Sequence, residues 1–129
     1  MIAIESKNKK QNFVCGLYET KKKAENAFQK IIKKEDFQIT EHNNIQFPFF
    51  LIEKKNKFEY YQKKEEIQSY LEKIKVKKNV NEDYTYCTLY IIEKEFGTKN
   101  PENDSMGSID HVHIDNELLK NIEGLVLDI

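Results

Sequence analysis

Two histidines lie one residue apart in the segment SIDHVHID, residues 108–115, and no other stretch of the sequence collects as many side chains suited to chemistry. In a β-strand, His111 and His113 point to one face, where their neutral imidazole nitrogens could bind one zinc or other transition-metal ion. A useful metal site needs three or four ligands, but only Asp115 nearby could share that face, and His42 is distant in sequence. Because the pair is short of ligands, we predict an edge strand with both imidazoles in water.

The remaining sequence gives no signature of catalysis. Cys15 and Cys87 are far apart and lie among apolar residues of predicted strands, so we expect buried, reduced thiols that are inert. No Gly-x-Ser-x-Gly, Walker loop, His-Glu-x-x-His or paired-glycine nucleotide fingerprint occurs. We therefore predict a protein that is not an enzyme and has no catalytic residue, cofactor or bound metal.

Length and composition indicate one domain, residues 1–129. The 129 residues suffice for a single core, and 39% hydrophobic residues with only 4 Gly and 2 Pro are typical of a globular chain. No apolar run approaches the roughly 20 residues that cross a bilayer. The first ten residues, MIAIESKNKK, place their charges after the apolar segment, the reverse of a signal peptide. These features predict a cytoplasmic protein with no membrane partner.

Hydrophobic periodicity predicts the elements of the first half. Residues 1–6 and 12–19 form a hairpin, with Phe13, Cys15 and Leu17 on one face. Thr20 caps a helix. The apolar stripe of that helix consists of Ala24, Ala27, Phe28, Ile31 and Ile32. Residues 37–43 form a further strand. Residues 47–62 form a second hairpin, whose first strand is apolar on both faces, Phe49 and Leu51 against Phe50 and Ile52, as expected of a central strand.

The second half continues with a helix and a long strand. The helix has its apolar stripe at Ile67, Tyr70, Leu71 and Ile74. The strand, residues 84–96, alternates a tyrosine-rich face with an apolar face. A loop over residues 97–107 precedes the histidine strand, and Asp115 caps a short helix that ends at Gly124, before an apolar tail. The predicted fold class is α+β: a mostly antiparallel sheet with two longer helices, one short C-terminal helix, and a single layer of helices.

Charge is divided unevenly along the chain. All 21 basic residues are lysine, so no guanidinium is present for bidentate recognition of phosphate or guanine. Residues 1–80 hold 18 Lys against 11 acidic residues, and residues 81–129 hold 3 Lys against 11, so charges of +7 and −8 underlie the net −1. If the fold keeps this segregation, the C-terminal third presents an anionic surface that attracts a cationic partner and disfavours nucleic acid.

Tyrosine beside carboxylates is the composition expected of a protein interface. The predicted partner-binding residues are Tyr84, Tyr86, Tyr90, Glu95, Glu102, Asp104, Asp110 and Glu117. As a whole-chain profile, the sequence resembles small bacterial immunity proteins of contact-dependent inhibition systems, which neutralise a cognate toxin domain. The resemblance implies a non-catalytic inhibitor whose acidic surface occupies the basic cleft of a nuclease-type toxin.

Two other functions stay open at this stage. A metal-binding or metal-dependent enzymatic domain would be centred on His111 and His113. A nucleic-acid-binding domain would use the lysine-rich N-terminal part, although the densest lysines lack interleaved aromatic residues for base stacking.

Overall fold

The described part of the chain is built from two four-stranded antiparallel sheets and three α-helices. The computed structural model describes residues 1–7, 14–54, 57–77, 87–100, 109–120 and 122. The strands are β1 (Ile2–Ser6), β2 (Val14–Tyr18), β3 (Phe37–Glu41), β4 (Phe49–Glu53), β5 (Phe58–Tyr61), β6 (Thr88–Ile92), β7 (Phe96–Gly97) and β8 (His111–His113). The helices are α1 (Lys21–Phe28), α2 (Lys64–Lys77) and α3 (Asn116–Lys120), with a 3-10 turn at Lys34–Asp36.

The strand order is β3-β1-β2-β7 in the first sheet, called sheet I, and β5-β4-β6-β8 in the second, called sheet II. The predicted α+β class, the antiparallel pairing, and the two longer helices with one short helix are confirmed. The strands divide over two sheets, however, where the sequence pattern suggested one. Within the described residues, no helix is long and apolar enough to span a membrane.

Three buried clusters show how the layers stack. One cluster joins the inner faces of the two sheets and contains Ala3, Val14, Leu17, Phe49, Leu51, Tyr90 and Ile92. A second joins the outer face of sheet I to α1 and the segment after it, and contains Ile4, Cys15, Ile31 and Phe37. The third joins the outer face of sheet II to α2 and α3 through residues such as Phe50, Leu71 and Leu119. The layer order is therefore helix, sheet I, sheet II, helices.

Strand β4 is covered on both faces, as its continuous apolar sequence predicts. Phe49 and Leu51 pack between the sheets, whereas Phe50 and Ile52 pack under the helices. All four side chains are at most 1% exposed. Two-sided burial agrees with its place as one of the two interior strands of sheet II.

Strand β2 departs from the predicted alternation because of a β-bulge. Ile4 pairs with Gly16 and Glu5 pairs with Val14, so Cys15 is an extra residue without a partner on β1. As a result, Cys15 packs on the helix side of sheet I and Leu17 packs between the sheets. The prediction that they share a face was wrong. Both cysteines are buried, and burial raises the pKa of the Cys15 thiol to about 12.

Helix α1 is shorter than its apolar stripe suggests. The Thr20 side chain caps it by accepting a hydrogen bond from the Lys23 N–H, as predicted, but the helix ends at Phe28. After that end the chain no longer follows the helical period. Ile31 is 6% exposed in the sheet I cluster, whereas Ile32 is 54% exposed. Placing Ile32 on the buried stripe was therefore wrong.

The predicted long strand over residues 84–96 is divided between the two sheets. Residues 84–86 lie outside the described residues. The remainder forms β6 in sheet II and, after a break, β7 in sheet I, where Phe96 pairs with Leu17 and Gly97 pairs with Gly16. Gly97 thus belongs to a strand, not to the predicted loop, and residues 101–107 of that loop lie outside the described part of the chain. Gly124 and the apolar tail lie outside it as well.

The contrast between Ile31 and Ile32 gives a matched stability test. Ile31→Ala removes buried contacts between α1 and sheet I, and we expect it to lower the free energy of unfolding by about 2–4 kcal/mol. Ile32→Ala changes an exposed side chain and should change stability by less than about 0.5 kcal/mol. Urea denaturation of both variants measures the difference. Equal losses would show that the chain after α1 packs differently.

Candidate functional site

The strand that carries both histidines lies at an edge of sheet II. It pairs with β6, placing His111 opposite Tyr90 and His113 opposite Thr88. Both imidazoles share one face and are exposed, as predicted. On the other face, Ile114 is 1% exposed and Val112 packs against the cluster under the helices. The prediction of an edge strand anchored by Val112 and Ile114 is confirmed.

The hydrogen bonds on either side of β8 fix the direction of its backbone groups. The Ile91 N–H donates to the Asp110 carbonyl at 2.9 Å, and the Ile114 N–H donates to the Cys87 carbonyl at 3.0 Å. In an antiparallel ladder these bonds place His111 and His113 at non-hydrogen-bonded positions toward β6. Their N–H and C=O groups therefore point to the open edge. Within the described residues, no strand pairs with that edge.

The two imidazoles are held in similar ways. The ring centroids of His111 and His113 are 5.5 Å apart. His111 Nδ1 lies 2.8 Å from the Ile109 carbonyl oxygen, which only accepts, so Nδ1 donates and carries the proton. His113 Nδ1 lies 3.3 Å from Thr88 Oγ1. In the part of the chain that the structure describes, no group of three His, Cys, Asp or Glu side chains could hold a metal ion.

Exposed carboxylates flank β8. Asp110 immediately precedes the strand and is exposed. Asp115 follows it, is also exposed, and caps α3 by accepting a hydrogen bond from the Leu118 N–H at 2.9 Å, which confirms the predicted cap. Neither carboxylate forms an ion pair with another described residue. The two ends of the edge strand therefore carry negative charge that no described lysine neutralises.

The sequence suggested that Glu95 is available to contact a partner, but its carboxylate already interacts with residues of its own chain. Its Oε2 accepts a hydrogen bond from the Glu19 N–H at 2.8 Å, and its Oε1 lies 3.1 Å from Lys23 Nζ on α1. These interactions, with the Glu19 N–H first, lower the pKa of Glu95. The carboxylate lines a groove of about 380 Å³ between α1 and β7. At this position Lys23, from the lysine-rich first half, offsets the charge of one carboxylate of the acidic C-terminal third.

Of the other predicted contact residues, one is buried and most lie outside the described part of the chain. Tyr90 is 8% exposed and lies in the cluster between the sheets, where burial, followed by the charge of Glu53, raises its pKa to about 12. It therefore presents little surface to a partner. Tyr84, Tyr86, Glu102 and Asp104 lie outside the described residues. Glu117 lies in α3, but its side chain is outside the described set.

A half-buried polar cluster that sequence patterns did not reveal joins the two sheets. Glu5 of β1 accepts a hydrogen bond from the Tyr60 hydroxyl of β5, and its Oε2 lies 3.2 Å from His42 Nε2. The rings of His42 and Tyr60 are in contact, with centroids 4.1 Å apart. A shallow groove of about 690 Å³ adjoins this cluster and is lined partly by both rings. Because its members are 37 and 55 residues apart, no local spacing could have signalled the cluster.

Hydrogen bonding determines the ionisation of this cluster. Burial alone would raise the pKa of Glu5, but hydrogen bonds from His42, Tyr60 and Thr40 outweigh it and lower that pKa below its ordinary value. Burial, with the charge and hydrogen bond of Glu5, raises the pKa of Tyr60. At neutral pH the cluster therefore contains a carboxylate and a neutral phenol. It stabilises the contact between β1 and β5.

Replacing Tyr60 tests this link. Tyr60→Phe leaves the Glu5 carboxylate without one donor, and we expect a loss of about 1–3 kcal/mol at pH 7. Because the folded-state pKa of Glu5 is lowered, its stabilising contribution is complete above the unfolded-state pKa and is lost as the pH falls through the folded-state value. The difference from wild type in urea denaturation should therefore shrink in acid.

The adjacent Tyr61 provides the control for this test. Tyr61 is less deeply buried than Tyr60, and its hydroxyl donates to Glu59 of the same strand, so Tyr61→Phe should cost less than about 1 kcal/mol. Equal losses in the two variants, or a Tyr60→Phe loss that does not depend on pH, would contradict a specific role for Glu5.

Comparisons with known proteins complete the description. A scan against protein-family models finds no model that matches the chain, and searches of curated proteins and of solved structures also find no match. The resemblance to immunity proteins therefore stays a prediction.

Proposed function

We propose that the protein is a non-catalytic protein-binding module, an immunity protein that binds and neutralises a cognate toxin domain through its acidic C-terminal third. One observation carries the proposal. Asp110 and Asp115 are exposed at the two ends of β8 and have no ion-pair partner among the described residues. Between them, the backbone groups of His111 and His113 point away from the sheet.

This combination suits a protein partner. Exposed backbone donors and acceptors at a sheet edge can pair with an extended segment of another chain. Carboxylates at both ends attract a cationic surface and increase the rate of encounter. A basic cleft, such as that of a nuclease-type toxin, has the complementary charge. Of the residues predicted from sequence, Asp110 has the strongest structural support, and Tyr84, Tyr86, Glu102, Asp104 and Glu117 remain part of the proposed surface.

Two predicted contacts have a reduced role in the proposal. Glu95 is already bound to Lys23 and to the Glu19 N–H, so a partner would have to displace both. Tyr90 is buried and acts by supporting His111, with ring centroids 5.7 Å apart. The proposed surface is therefore centred on β8 and its flanking acids, not on the tyrosine face of β6.

The direct test uses the gene neighbourhood. We expect a large secreted protein with a variable C-terminal domain to be encoded immediately upstream. Co-expression of this chain should relieve the growth arrest caused by that domain, and the two purified proteins should form a one-to-one complex by light scattering. An upstream product that is neither toxic nor bound at micromolar concentration would contradict the proposal.

Charge reversal then locates the surface. Glu93→Lys with Asp110→Lys changes two exposed acids, one just after β6 and the other just before β8. If they lie at the rim of the complex, association should slow about tenfold or more at low salt; if they are buried in it, the complex should weaken by several kcal/mol. Stopped-flow association and dissociation rates separate the two cases.

A matched pair of substitutions controls for net charge. Glu25→Lys with Glu35→Lys makes the same change in charge at two exposed residues of the first half. At about 0.15 M salt, where charges more than roughly 8 Å from the contact are largely screened, we expect this variant to bind nearly as well as wild type, whereas the variant at Glu93 and Asp110 should stay weakened. Equal weakening of both double variants would show that β8 is not part of the binding surface.

A further inference from the structure

We propose that His111 and His113 form half of a transition-metal site that the same two histidines of a second copy of this chain complete, with the two copies paired edge to edge through β8. This inference does not depend on the proposed function. It arises from three features of β8: an edge with which no described strand pairs, the shared face of its imidazoles, and the absence of a third ligand among the described residues of one chain.

The backbone geometry permits pairing about a two-fold axis. Because the N–H and C=O groups of His111 and His113 point outward, an antiparallel copy of β8 can form the next ladder. With the axis at Val112, His111 of one copy is opposite His113 of the other, and each pair exchanges two backbone hydrogen bonds. An isologous contact of this kind closes as a dimer and cannot extend into a fibre.

The same pairing brings four imidazoles together. Directly opposite residues in a hydrogen-bonded pair have Cα atoms about 5.5 Å apart and side chains on one face of the sheet. Within one chain, the two rings already have centroids 5.5 Å apart. The four rings therefore occupy the corners of a small quadrilateral above the shared edge, and four ligands complete the tetrahedral shell that zinc prefers.

The ring hydrogen bonds prepare the imidazoles as ligands. In His111 the Nδ1 donates to the Ile109 carbonyl, which leaves the Nε2 lone pair available. In His113 the Nδ1 is near the Thr88 hydroxyl, so its Nε2 is again the outer nitrogen. A bond from the second ring nitrogen to a carbonyl or hydroxyl is the usual way in which proteins orient a metal-binding histidine. Imidazole ligands select zinc, copper or nickel over magnesium and calcium.

Charge makes the dimer depend on the metal. Asp110 and Asp115 of each copy flank β8, so edge pairing brings four carboxylates near the two-fold axis. Their repulsion opposes pairing in the absence of a cation, and a divalent ion at the imidazoles offsets it. We therefore expect a monomer after treatment with EDTA and a dimer when Zn²⁺ is added.

The experiment is sedimentation equilibrium of the full chain, first in EDTA and then with ZnCl₂. The mass should rise from 15.4 kDa to twice that value, with one zinc bound per two chains. In the zinc-bound dimer, the His111 and His113 amide protons should become protected from hydrogen exchange. His113→Ala should weaken zinc-dependent dimerisation at least tenfold, whereas His42→Gln, at the histidine that contacts Tyr60 of β5 at the other edge of sheet II, should dimerise like wild type.

Three results would overturn the inference. The first is a chain that remains monomeric in saturating zinc, whether or not it binds the ion. The second is equal dimerisation of His113→Ala and wild type. The third is a zinc-dependent dimer in which the amides of His111 and His113 stay unprotected, because such a dimer would not be paired through β8. Since both imidazoles are exposed, the alanine variant should fold normally, and circular dichroism verifies this.

Discussion

The packing of the two sheets against each other is the constraint on which the other features depend. Ala3 and Leu17 of sheet I contact a cluster that includes Leu51 and Tyr90 of sheet II. Because β4 is also buried under the helices, sheet II cannot slide or turn over without exposing one of two apolar faces. This fixes β6 beside β4 and β8 beside β6. The edge position of the histidines is thus a consequence of the core.

The sequence predicted those parts of the fold in which a local pattern of apolar residues strongly favours one kind of secondary structure. Four consecutive apolar residues, Phe49 to Ile52, favour a strand buried on both sides, and in a strand the alternation of HVHI places both histidines on one face. The sequence could not predict the bulge at Cys15. An extra residue in a strand moves the following side chains to the opposite face, but it leaves the composition of the strand unchanged. Nor could periodicity assign β6 and β7 to different sheets, since residues 93–95 between them contain no Gly or Pro to mark a break.

The candidate site was predictable only in part, for a related reason. Charge counted along the chain does not show which charges meet in space. Glu95 belongs to the acidic third, yet it pairs with Lys23 of the basic half, whereas Asp110 and Asp115 have no such partner among the described residues. The cluster of Glu5, His42 and Tyr60 depends on three strands or strand ends that come together only in the folded chain.

The central structural claim is that the backbone of His111 and His113 faces an open edge while that of Val112 is bonded to β6. Amide hydrogen exchange followed by NMR on the metal-free chain tests it residue by residue. The account predicts slow exchange at Val112 and fast exchange at both histidines. Slow exchange at all three amides would show that another segment covers the edge, and neither a partner nor a second copy could then bind there.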